Sequence, residues 1–252
     1  MLLHALLRRD RALALASLVA VIMLAWAYLI LGAGIEMDEM DMGGGQIMMM
    51  APPWTLGYAA LIFLMWSIMM VAMMLPSAAP TILLVTALAR HRIAPVAVPF
   101  ACGYVLVWTG FSLAATALQF GLDRAGVLSE TMATSSTALA GIVLIVAGAY
   151  QWTPLKQACL RHCRSPLAFL LGRWRRGAWG AITNGMRHGL FCLGCCWMLM
   201  VLLFVGGLMN LLWIAALALL VLIEKTLPWG GRTSRATGAA LVVWGAVMLV
   251  SM

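Results

Sequence analysis

Residues 54–89 run for 36 positions without one charged side chain. Uncharged runs of similar character cover residues 12–33, 94–120, 135–152, 190–209, 210–223 and, after Arg235, the stretch to the C-terminus. About 20 apolar residues carry a helix across the hydrocarbon of a bilayer. In lipid the backbone must satisfy its own hydrogen bonds, which leaves helices or closed barrels. Barrel strands alternate polarity over about ten residues, and these runs do not alternate. The chain is only 10% charged, against about 25% for an ordinary soluble domain. The expected fold is therefore all-α: one polytopic transmembrane helical bundle over residues 1–252, with seven spans.

The charges lie between the runs. Arg8, Arg9 and Arg11 precede the first run, which is longer than a signal-peptide core and lacks a small-residue cleavage site, so it reads as a retained helix. Residues 34–53 form a loop with Glu36, Asp38, Glu39 and Asp41, half of the chain's eight acidic residues, among Met37, Met40, Met42, Met48, Met49 and Met50. The second run is too long for one straight span and contains Pro76 and Pro80, so a kink or a projecting end is expected. Residues 153–187 are a basic connector whose Leu, Phe and Trp residues between the charges suggest an interfacial helix. With a cytoplasmic N-terminus, fifteen of the sixteen Lys and Arg residues fall inside and only Arg124 outside. That is the positive-inside distribution. It makes residues 34–53 external and 153–187 cytoplasmic, and explains the net charge of +8 by the lipid bilayer and not by nucleic acid.

Three clusters carry chemistry. On a helix, His188, Cys192, Cys195 and Cys196 stand at offsets of four, seven and eight residues, which brings them to one stripe. Imidazole and thiolate suit copper(I) and zinc. Small buried cysteines packing a helix are the alternative. In the connector, Cys159, His162 and Cys163 form a weaker C-x-x-H-C group on the same expected side. Two incomplete sites on one face can make one complete site. The third cluster is Met69, Met70, Met73 and Met74, with Met65 one turn earlier. Thioethers bind copper(I) readily and zinc poorly, although methionine also fills helix contacts. Cys192 and Cys195 also spell C-x-x-C, which keeps a membrane thiol oxidoreductase open. A purely structural zinc site is the other alternative. Glu224, beside Lys225, ends the sixth run; an ionisable group at membrane depth is a functional candidate, with an interfacial Glu–Lys anchor as the favoured alternative, and Cys102 reads as packing. No catalytic base, nucleophile or phosphate loop is visible, so an enzyme is not expected.

Residues 69–76, Cys159 to Cys163, Arg187-His188-Gly189 running into Cys192-Leu193-Gly194-Cys195-Cys196-Trp197, and Glu224-Lys225 with Pro228 and Gly230 together resemble a bacterial family of predicted metal-binding integral membrane proteins. One branch of that family is regarded as copper chaperones that mature tyrosinase-type oxidases. The resemblance spans residues 54–230. It implies copper(I) delivery to a copper-dependent oxidase or other metalloprotein from the bacterial inner membrane. It also implies His188, Cys192, Cys195 and Cys196 as ligands, with Met69, Met70, Met73 and Met74 beside them.

Overall fold

A computed structural model describes residues 2–34, 38–41, 47–50, 53–88, 96–129, 132–165, 174–175 and 177–251. Glu36, Met37, Met42, Arg90, His91, Arg92, Glu130, Arg173 and Arg176 lie outside the described residues. The helices are α1 (Leu2–Ile30), α2 (Leu56–Leu88), α3 (Ala97–Arg124), α4 (Thr137–Tyr150), α5 (Pro154–Arg164), α6 (Gly177–Val201), α7 (Leu203–Gly206), α8 (Leu211–Thr226) and α9 (Gly230–Val250). Within the expected loop, β1 (Asp38–Asp41) pairs antiparallel with β2 (Ile47–Met50), Asp38 opposite Met50.

Among the described residues, five helical segments are long and apolar enough to cross a membrane: Ala12–Ile30, Leu56–Ala87, Ala97–Arg124, Gly177–Gly206 and Gly230–Val250. Counting α4 and α5 as one broken span, bent by 63°, makes six, against the seven expected. The bend follows from Thr153-Pro154. Thr153 caps α5, its side chain accepting from Lys156 N, and Pro154 occupies the first turn, where a missing N–H is harmless. The remaining expected span became α8, with 16 residues. At 1.5 Å per residue it covers about 24 Å, short of the roughly 30 Å of hydrocarbon. Asn210 starts it by accepting from Trp213 N, just after Gly207 leaves the helical region at φ 90°.

One boundary differs from expectation. Helix α6 begins at Gly177, thirteen residues before the expected start at 190. Asn184 and Arg187 dilute the apolar pattern there, but the segment is held by close packing on α3. A Cβ at Gly185 would collide with Phe100 O, and one at Gly103 with Ile182 O. Gly189 likewise lets Val107 and Tyr104 O approach. Small residues at such spacing let helix backbones meet. Helices α4 and α9 use the same device at Gly141, Gly148, Gly238 and Gly245. Helix α2 runs as one helix through Pro76 and Pro80, and its 33 residues make it longer than the roughly 30 Å of hydrocarbon. In its proline turn, Ser77 Oγ and Tyr104 OH both donate to Met74 O, at 2.8 and 3.1 Å.

Helices α2 and α6 supply the two largest shares of the core. Met65, Trp66, Met69, Met70, Met73 and Met74 are fully buried. Trp66 Nε1 donates to Gln119 Oε1 at 2.7 Å, and Gln119 Nε2 reaches Met132 Sδ at 3.3 Å. Gln119 is thereby satisfied inside the bundle, as a buried amide must be.

Candidate metal centre

The helical offsets of His188, Cys192, Cys195 and Cys196 place all four on the inward stripe of α6, and all four are buried. Cys195 Sγ and Cys196 Sγ both donate to Cys192 O, at 3.1 and 2.8 Å. Three other helices converge on this stripe. From α2, Met74 Sδ lies 3.8 Å from Cys196 Sγ. From α5, Cys163 Sγ lies 3.9 Å from Cys195 Sγ. From α3, Tyr104 OH lies 3.0 Å from Cys192 Sγ.

Helix α5 is amphipathic, with Lys156, Cys159 and Leu160 turned inward. Cys159 packs over Gly194, where a Cβ would stand 2.7 Å from its sulfur. The Gly194 carbonyl accepts from Tyr150 OH at 2.5 Å, so the end of α4 is pinned at the same level. Cys192 thus sits fifteen residues into α6, about 22 Å from that helix's start, yet level with the ends of α4 and α8.

The sequence reasoning missed the charged part of the site. Glu224 and Lys225 are not an exposed anchor: they are 2% and 7% exposed. Glu224 Oε2 accepts from Lys156 Nζ at 2.7 Å, both side chains buried. Lys225 Nζ donates to Cys192 Sγ at 2.8 Å and to Ser77 Oγ at 3.2 Å, and lies 3.9 Å from Cys196 Sγ. Ionisable groups at the end of an apolar run are the signal that pointed here. Tyr104 and Ser77 left no such signal.

The other candidates separate. His188 packs against the rings of Phe100 and Tyr104, with centroids 5.9 and 5.7 Å away. His162 is exposed, stacked on Phe191 at 4.1 Å, with Nδ1 2.9 Å from Ala158 O. Met69, Met70 and Met73 are buried along α2, and the ladder meets the cysteines through Met74. Cys102 is exposed on α3, not packed in the core. All six cysteines are free thiols.

Among the described residues, no three His, Cys, Asp or Glu side chains already surround a point that could hold a metal ion. The sulfurs instead stand in pairs, one of them completed by a thioether. Three sulfurs bonded at about 2.3 Å around one ion stand about 4.0 Å apart, and two in a line about 4.6 Å apart. Separations of 3.8 and 3.9 Å need only small side-chain rotations to reach either. The donor set is soft and poor in oxygen, which disfavours magnesium and calcium.

No curated protein and no solved structure matches the chain. A family model described as PpoB2, copper chaperone, matches residues 63–248, a stretch that contains every sulfur pair above. The chain belongs to that copper-chaperone family.

Proposed function

We propose that this protein is a membrane-embedded copper(I) chaperone that holds its cargo between α2, α5 and α6 and passes it to a copper-dependent oxidase. The observation that carries this reading is the meeting of Met74, Cys192, Cys195 and Cys196, all buried, with the half-buried Cys163 in one cluster. Such a set offers an ion two or three sulfurs at a time. Copper(I) in so low a coordination number moves by gaining one sulfur before losing another, so no bond-making step needs a catalytic group. The protein acts as a carrier and not as an enzyme. On α6, Cys196 faces Met74 of α2, whereas Cys195 faces Cys163 of α5. An ion handed along α6 would therefore move between the methionine ladder and the connector.

The long apolar helices and the distribution of Lys and Arg support a multi-pass protein of the bacterial inner membrane with a cytoplasmic N-terminus. Burial of both Cys192 and Cys195 at 1% exposure tells against the oxidoreductase reading, because a substrate disulfide must reach the attacking sulfur. The test is the metal content of the protein purified under reducing conditions, with copper and zinc measured together. Copper at near one equivalent supports the proposal. Zinc alone would replace it with a structural zinc site, and no metal after copper(I) addition would remove it.

A further inference from the structure

Two lysines are buried among the described residues, and they are treated differently. Lys156 is matched by the carboxylate of Glu224. Lys225 turns its ammonium to sulfur and hydroxyl instead, touching Cys192, Cys196 and Ser77. It is held there from several sides. Its neighbour Glu224 is fixed by Lys156, and Gly230 packs directly on the Glu224 backbone, where a Cβ would collide with the carbonyl oxygen. Ser77 accepts from Lys225 and donates to Met74 O, so the ammonium is tied to the turn that presents the thioether.

We infer that Lys225 sets the charge selectivity of the sulfur cluster, admitting a monovalent soft cation and opposing a divalent one. The inference rests on the reading that these sulfurs hold the cargo. Ligand softness by itself does not give that selectivity, because zinc takes cysteine and histidine as readily as copper(I) does. A fixed positive charge does. Coulomb repulsion scales with the charge of the ion, so the ammonium opposes a divalent ion twice as strongly as a monovalent one at the same place. Burial removes the mobile salt that would screen it. Two thiolates, one ammonium and one copper(I) sum to zero. The same set around zinc leaves one uncompensated positive charge in a low-dielectric interior, which is disfavoured. Lys225 acts through charge and need not bind the metal itself.

The experiment is a competition between silver(I), a soft monovalent ion that does not change oxidation state under reducing conditions, and zinc(II). The detergent-purified full chain is equilibrated with both, and bound silver and zinc are quantified together. Wild type is expected to retain silver over zinc. Lys225→Met should shift the bound ratio towards zinc by about tenfold or more, while Lys225→Arg, which keeps the charge, should stay near wild type. The ratio is read on whatever protein is folded, so a lower yield does not mimic the effect. If Lys225→Met does not fold, Lys225→Gln replaces it, keeping a donor for Cys192 and Ser77 without the charge. A neutral variant with the wild-type ratio, or an Arg variant shifted as far as Met, overturns the inference and leaves the chaperone reading standing. Wild type that binds neither ion overturns both.

Discussion

Lys156 and Glu224 face each other at 2.7 Å with almost no exposed surface. Deleting one partner of such a pair strands a charge and typically costs 3–5 kcal/mol, roughly, whereas replacing both by apolar groups is often neutral. Lys156→Met or Glu224→Leu alone should therefore sharply lower the denaturation temperature in detergent, and the double variant should recover most of it. A double variant no better than either single one would show that the pair does not act as a unit. A second residue-level expectation concerns the ligands. Cys192→Ser with Cys195→Ser should abolish tight copper(I) binding, while Cys102→Ser, on an exposed α3 position, should leave stoichiometry unchanged. Retained stoichiometry in the double variant would move the cargo to other sulfurs. Cysteine, histidine and methionine could be picked out from sequence because their side chains carry metal chemistry wherever they fall. Lys225 could not, because a lysine at the end of an apolar run can equally extend towards water. Its direction is decided by what α2 and α6 present 148 and 33 residues away in the chain. His162 illustrates the converse: its spacing suited a ligand, yet its ring stacks on Phe191.

At the scale of elements, the closest joint is between α3 and α6, where Gly185 leaves no room for a Cβ beside Phe100 O. Gly185→Val must push the helices apart, and overpacking of this kind costs about 1–3 kcal/mol. Because Tyr104 of α3 touches Cys192, the same variant should weaken copper(I) binding as well as lower thermal stability. Gly110→Val is the control, since nothing lies within 4 Å of its added Cβ. Equal effects at both positions would mean that glycine itself, and not the close approach, matters. Long apolar runs gave away α1, α2, α3 and α9, because hydropathy alone marks them. The start of α6 was hidden, because its first turns are stabilised by contact with a partner helix, which no local pattern records. The bend between α4 and α5 was half visible in Thr153-Pro154, while the shortness of α8 depends on where Asn210 and Gly207 stop the chain.

For the molecule as a whole, the proposed orientation predicts that a reporter fused after Gly45 reads as external and one after Arg175 as cytoplasmic. Both on one side would refute the orientation. The segment that this orientation would place outside, in which β1 and β2 pair, carries a second expectation. Replacing Met37, Met40, Met42, Met48, Met49 and Met50 by leucine keeps the acidic residues but removes thioether sulfur. Maturation of a copper-dependent oxidase should then fall when copper is scarce and recover when it is ample; no difference at any copper level would make the segment a plain connector. The cluster itself is assembled from residues far apart in the chain: Met74, Cys163, Cys192 to Cys196 and Lys225. That dispersal has a consequence for biosynthesis. At about 5–20 residues per second, the ribosome needs roughly 3–12 s to go from Cys163 to Lys225. During that interval the thiols of α5, joined towards its end by those of α6, exist without the ammonium that stands beside Cys192 in the finished protein. If Lys225 sets the selectivity as inferred, a nascent chain is a less discriminating thiol carrier than the completed one, and its fidelity arrives only with about the last tenth of translation.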